Sequence, residues 1–133
     1  MLRERDRTMK GQKILIAEKS TFLRVILTTA LEKLGFQVVG SAKDGEEAID
    51  KYHELKPDIT LVDIELDGID GIDVARKITA EEPAAVVLMV LDETVDTPDI
   101  IVEAVRAGAK GYIRKPLSET EIVKRISGAL GRH

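Results

Sequence analysis

Residues 14–20 run Ile-Leu-Ile-Ala-Glu-Lys-Ser, an apolar β-rich segment that closes on an acid and a base just where helical periodicity begins. Lys13–Ala17 therefore reads as a strand. Ser20 reads as the N-cap of a helix with Phe22, Ile26, Ala30 and Leu34 at core spacing, stopped by Gly35. The rhythm recurs down the chain. Further β-rich runs lie at 36–40, 58–62, 85–90 and Gly111–Arg114, and several are almost uninterruptedly apolar, as strands covered on both faces are. Between them, Asp44 with Glu47 and Ser118 with Glu121 are spaced as capping boxes, and Thr97 stands before Pro98 as an N-cap before a first-turn proline. Residues 71–82 set Ile72, Ala75 and Ile78 on one face before Pro83, and the last helix offers Ile122, Val123, Ile126 and Leu130.

Strand–helix units of about 20–25 residues imply one α/β domain: a doubly wound, five-stranded parallel sheet with right-handed crossovers and five helices on its two faces. Ligand chemistry in such sheets gathers beyond the carboxyl ends of the strands. Glu18 and Lys19 follow the first strand, Asp63 and Glu65 the third, Leu91 and Asp92 the fourth, and Lys115-Pro116 the fifth. Charged groups from four strands thus meet on one rim. Solvated strand ends alone supply some charge there, so the residue types have to decide the chemistry.

Composition narrows the classes. The chain has 133 residues, 44% apolar and 33% charged, the profile of one folded domain with a buried core. No apolar stretch reaches the ~20 residues that cross a bilayer, and Met-Leu-Arg-Glu-Arg-Asp-Arg at the start lacks the apolar segment of a secretory signal. A cytoplasmic location is expected. The absence of cysteine excludes disulfides, thiolate catalysis and zinc–cysteine sites. A net charge of -4 argues against nucleic-acid binding by the whole chain. The first 13 residues differ: five Lys or Arg against two acids leave +3. That segment reads as a flexible, solvated extension over residues 1–12, with a nucleic-acid or membrane arm as the competing reading, and the folded domain spans 13–133.

Several site chemistries fail on spacing. Asp63-Ile-Glu-Leu-Asp67-Gly68 imitates the opening of an EF-hand loop, but the twelfth position is Val74 where a bidentate Glu is needed. No Walker A and no G-x-G-x-x-G follows a strand, which removes the usual nucleotide folds. With 3% aromatics and no tryptophan, no stacking platform for a flavin ring is present. His53 lies on a charged helix face beside Tyr52 and Glu54 and reads as solvated, and His133 is terminal.

The motifs Lys13-Ile-Leu-Ile-Ala17, Ala42-Lys-Asp-Gly-Glu-Glu-Ala48, Pro57-Asp-Ile-Thr-Leu-Val-Asp63, Asp70-Gly71, Ala107-Gly-Ala-Lys-Gly-Tyr112 and Lys115-Pro116 follow one another over more than a hundred residues. In that order, the chain from Lys13 to about Leu130 resembles the receiver domain of two-component response regulators, of the CheY-like type. The resemblance implies a flavodoxin-like fold with strand order 2-1-3-4-5. It implies phosphoryl transfer from a histidine kinase or phosphotransfer protein onto Asp63, with Lys115 binding the phosphoryl group and a cis bond to Pro116. It further implies magnesium held by Glu18, Asp63 and the backbone carbonyl of Glu65, and Tyr112 as a switch aromatic. A downstream protein would dock on the helix 4–strand 5–helix 5 face, with the chain a monomer or weak dimer. No enzymatic turnover is expected beyond metal-assisted phosphorylation of Asp63 itself. The chain stops soon after the fifth helix, so it is expected either to act alone by docking or to be part of a longer regulator.

Two positions depart from the family pattern. A second acid usually follows the first after strand 1, and Lys19 stands there; a Thr or Ser usually ends strand 4, and Leu91 stands there. Leu66-Asp67 also replaces a frequent Met-Pro. If Lys19 enters the pocket, Lys19 and Lys115 cancel Glu18 and Asp63, and the site is neutral without a metal. Lys19 is then a built-in counterion to Asp63; the alternative is that its stem snorkels and its ammonium stays in water. Two functions remain open at this point. One is a phosphorylatable receiver; the other is a pseudo-receiver acting as a phosphorylation-independent interaction module.

Overall fold

A computed structural model describes residues 11–131. The elements are β1 (Lys13–Ala17), α1 (Thr21–Lys33), β2 (Gln37–Ala42), α2 (Gly45–Leu55), β3 (Ile59–Asp63), α3 (Gly71–Glu81), β4 (Val87–Leu91), α4 (Pro98–Arg106), β5 (Gly111–Arg114) and α5 (Glu119–Ala129). All strand pairs are parallel and the order is β2-β1-β3-β4-β5, as the resemblance implied. Among the described residues no helix is long and apolar enough to cross a membrane.

Both faces of the sheet are covered. Ile14, Ile16, Ile59, Leu61, Leu88, Val90 and Ile113 pack with Leu27 and Leu31 of α1 and Ile122 and Ile126 of α5. Val62, Val87, Met89 and Leu91 pack on the other side with α2, α3 and α4 through Ala48, Ile72, Ala75, Ile78 and Ala104. Alternate residues of one strand thus serve opposite cores. Each helix begins on a Ser, Thr or Asp whose side chain accepts from the amide three residues on: Ser20 from Leu23, Asp44 from Glu47, Asp70 from Asp73, Thr97 from Ile100 and Ser118 from Glu121. The reciprocal half of the expected capping boxes is not made. Glu47 accepts instead from the Lys43 amide, and Glu121 pairs with Arg125.

Three expectations need correction. The face of α1 that meets the sheet is set by Leu27 and Leu31, whereas Phe22 is 74% and Ile26 43% exposed. Helix α1 is apolar on two sides, so periodicity alone offers two phases; the sheet selects the leucine one. Strand β2 runs past Gly40 to Ala42, opposite Ala17. Gly40 does not break it, because it makes room: a Cβ there would lie 2.6 Å from Leu55 Cδ1 of α2. The folded body also begins before residue 13, since the Gly11 amide donates to Gly35 and Gln12 accepts from the Gln37 amide. The rest of the basic N-terminal segment and His133 lie outside the described residues.

The two phases of α1 make opposite forecasts. Leu31→Ala should lower unfolding stability by about 2–5 kcal/mol, and Phe22→Ala should change it by less than about 0.5 kcal/mol. Urea titrations followed by circular dichroism measure both.

Candidate functional site

Strand alternation continues past the strand ends and selects what enters the rim. Ile16 and Leu61 face the α1–α5 side of the sheet, so Glu18 and Asp63, two residues further along each chain segment, turn the same way. Ile113 does so on β5, and Lys115 follows it. The three side chains meet. Lys115 Nζ donates to Asp63 Oδ2 at 2.5 Å and to Glu18 Oε1 at 3.2 Å. The carboxylates are nearly inaccessible, with side chains 6% and 2% exposed, while Lys115 retains 22%.

The backbone fixes each partner. The Lys115 amide donates to the Leu91 carbonyl, the Glu18 amide to Ala42 and the Ile64 amide to Val90. The second oxygen of each carboxylate is also engaged: Glu18 Oε2 accepts from the Ser20 amide at 3.0 Å, and Asp63 Oδ1 from the Glu65 amide at 2.7 Å. The loop after β3 returns tightly enough that a Cβ on Gly71 would lie 2.2 Å from the Asp63 carbonyl oxygen. Only glycine fits there.

Two buried acids share one ammonium. Burial, and then the hydrogen-bonding proximity of Asp63, raise the Glu18 pKa above the ordinary 4.5, against the opposing pull of the Ser20 amide and Lys115. Burial pulls the Lys115 pKa down, but the hydrogen bond and charge of Asp63, with those of Glu18, outweigh it and leave the lysine above its ordinary value.

Lys19 takes no part in this cluster. It is exposed, and among the described residues it has no ion-pair partner. The counterion expected of Lys19 is Lys115 instead, because the alternation that brings Glu18 inward turns the next residue outward. The neutral pocket is therefore also corrected: Glu18 and Asp63 against Lys115 leave one negative charge in excess.

Leu91 is buried in the core beneath α4 and brings no donor to the rim. Thr94 does not replace the missing hydroxyl, since its Oγ1 and amide both donate to Asp92. Tyr112 is half-buried against the α2–α3–α4 core, with the Arg125 and Arg114 guanidinium carbons 4.6 and 5.4 Å from its ring centroid. The Lys115–Pro116 bond is cis. Glu65 is exposed, its amide alone touching the cluster.

Two participants escaped the sequence. Arg24 donates to the Glu18 carbonyl at 2.6 Å and to Thr21, tying α1 to the end of β1. Arg114 pairs with Asp96 of the β4–α4 loop. Neither carries a local signal, because both contacts depend on how separate elements pack. Among the described residues no group of three or more His, Cys, Asp or Glu side chains gathers. The oxygens available to a cation are those of Glu18 and Asp63, with the Glu65 carbonyl close by in sequence. Two carboxylates with an excess negative charge suit magnesium, which completes its shell with water and phosphate oxygens.

A family model described as the response regulator receiver domain matches residues 14–127. The chain belongs to that family. Chemotaxis protein CheY of Thermotoga maritima is 34% identical over 117 residues, covering 88% of this chain and 96% of that protein. Among solved structures, the response regulator domain of Thermotoga maritima CheB superposes with a TM-score of 0.82 at 33% identity, covering 93% of this receiver and 99% of that chain. A chain of the CheX–CheY–BeF3–Mg2+ complex from Borrelia burgdorferi matches with a TM-score of 0.84 at 29% identity, covering 93% of this receiver and 92% of that chain. This receiver domain of two-component signalling thus carries an acid–lysine–acid bridge across the ends of its strands.

The raised pKa of Glu18 has a definite sign in stability. The folded receiver holds the Glu18 proton more tightly than the unfolded chain, so this contribution is full below the ordinary value of 4.5 and is lost as pH rises through the folded pKa. The stability of the unaltered protein relative to Glu18→Gln should therefore decline with pH in that window, measured by urea unfolding at a series of pH values. Separately, Gly71→Ala should lose about 1–3 kcal/mol and shift the Asp63 amide resonance, because the β3–α3 loop must move off the Asp63 carbonyl.

Proposed function

We propose that this receiver is switched by transfer of a phosphoryl group onto Asp63 from a histidine kinase or phosphotransfer protein. The observation that carries the reading is the buried bridge in which Lys115 touches Asp63 and Glu18 at once. An Asp63 carboxylate oxygen attacks phosphorus, the phosphorus–nitrogen bond of the donor phosphohistidine breaks, and the imidazole takes up a proton. The product is an acyl phosphate. Lys115 is placed to exchange its bond to Asp63 Oδ2 for one to the phosphoryl oxygens, while the Glu65 amide holds the other carboxylate oxygen in place. Glu18, Asp63 and the Glu65 carbonyl would hold magnesium, which would supply neutralisation of the phosphoryl charge. The similarity to a chain of a complex that contains BeF3 and Mg2+ supports that assignment.

On this reading the domain is a substrate of its phosphodonor and not a turnover enzyme, apart from assisting transfer to its own Asp63. It works in the cytoplasm, without nucleic acid or membrane, and as a monomer or weak dimer. Its output is a protein target docked on α4, β5 and α5, where Tyr112 lies against Arg125 and where Val102 and Val105 are exposed. Tyr112 is the switch aromatic. With Leu91 in place of a hydroxyl, phosphate reaches that face through packing and the Lys115 anchor instead of a direct hydrogen bond.

Incubation with a small phosphodonor and magnesium, followed by intact mass, tests the assignment. One phosphoryl adduct is expected, and none on Asp63→Asn. No adduct under conditions that modify an ordinary receiver would instead identify a phosphorylation-independent interaction module.

A further inference from the structure

Of the three side chains in the Asp63 cluster, Glu18 stands on the least constrained backbone. The Lys115 amide is bonded to the Leu91 carbonyl, and the Ile64 amide next to Asp63 to that of Val90, so both hang on the buried strand β4. The Glu18 amide is bonded to Ala42 of β2, an edge strand whose register against β1 shifts between Ile14 and Leu15. Beyond Glu18 the chain leaves the sheet and turns into α1. The sheet ladder alone therefore leaves the direction of the Glu18 side chain under-determined.

Arg24 supplies the second anchor. Its guanidinium donates through Nη1 to the Glu18 carbonyl at 2.6 Å and through Nη2 to Thr21 Oγ1 at 2.9 Å. Its amide donates to the Ser20 carbonyl at 2.9 Å, and the Ser20 amide holds Glu18 Oε2 at 3.0 Å. These bonds close a ring around the β1–α1 turn: Glu18 carboxylate to Ser20, Ser20 to Arg24, and Arg24 back to the Glu18 carbonyl. The hollow around the guanidinium is lined by Thr21, Val25, Thr28, Thr29 and Ser41 and holds no carboxylate. Arg24 has no ion-pair partner among the described residues, so its charged donors serve the backbone carbonyl, as a short charge-assisted bond.

We propose that Arg24 is a positioning residue for Glu18, and that it sets the affinity of the pocket for magnesium without touching the ion. The proposal rests on the reading of Glu18 and Asp63 as magnesium ligands. With its amide fixed by β2 and its carbonyl by α1, Glu18 delivers its carboxylate to the Asp63 cluster in one direction. Magnesium tolerates little departure from octahedral geometry, so a small rotation of one carboxylate costs affinity. The fold tolerates the same rotation, because Leu27 and Leu31 hold α1 on the sheet without Arg24. Groups that orient a ligand in this way are worth about 10–100-fold in metal affinity.

Titration of the isotope-labelled full chain with magnesium chloride alone, followed by the amide resonances of Glu18 and Glu65, tests this. Arg24→Gln should weaken magnesium binding about tenfold. Arg24→Lys, which keeps a cationic donor for the Glu18 carbonyl, should recover most of that loss. In a Glu18→Gln background Arg24→Gln should change nothing further, because its effect passes through that carboxylate. A purely structural Arg24 would lower stability in urea and leave the magnesium affinity of the folded protein unchanged, which would overturn the proposal. So would an equal loss with and without Glu18→Gln, or no magnesium binding by the unaltered chain. Intact mass after incubation with a small phosphodonor separates this role from the phosphotransfer reading. A phosphoryl adduct on the unaltered chain, with undiminished magnesium affinity in Arg24→Gln, overturns the role of Arg24 alone. Magnesium binding that depends on Arg24, with no adduct, upholds that role and overturns the phosphotransfer reading.

Discussion

Side chains alternate along a strand, and in this sheet both faces are covered, so Ile14, Ile16, Ile59, Leu61, Leu88 and Val90 are committed to one core and Ala17, Val62, Val87, Met89 and Leu91 to the other. The same alternation governs the rim. It carries Glu18, Asp63 and Lys115 onto the side already occupied by Ile16, Leu61 and Ile113, and it turns Lys19 away. The site is in this sense an extension of the packing beneath it. A slip of one residue in any of the three strands would exchange a core residue and a site residue together.

Charge then does what geometry allows. A buried ion pair is held only where its remaining hydrogen-bonding capacity is met, and each carboxylate here accepts from a backbone amide as well as from Lys115. Burial first, and then the proximity of Asp63, hold the Glu18 proton above the usual range against the pull of the Ser20 amide and Lys115. By formal charge Glu18 and Asp63 exceed Lys115 by one, so the pocket is not the neutral one that an inward Lys19 would have made. Leu91 differs in kind: it belongs to the buried core that Ala104 of α4 also joins, and it brings no hydrogen-bond donor to the rim.

Much of this could be read from residue types and spacing. Strand positions followed from apolar runs, helix starts from Ser20, Asp44, Thr97 and Ser118, and the identity of the rim acids and lysine from where those runs end. The failures have a common origin. The inner face of α1, the course of β2 through Gly40, and the reach of Lys19 each depended on which neighbouring element lay opposite, and local sequence carries no record of that. Arg24 and the pairing of Arg114 with Asp96 were invisible for the same reason.

The sequence by itself determined the element order, the caps, the parallel α/β architecture and the candidate residues, because these depend on periodicity and on short-range hydrogen bonding. Only the tertiary structure decided which of Glu18 and Lys19 faces Asp63, which cation balances it, and which apolar face of α1 remains in water. Those outcomes are set by the directions in which side chains leave packed strands and helices, and such directions become definite only when the sheet supplies a second surface.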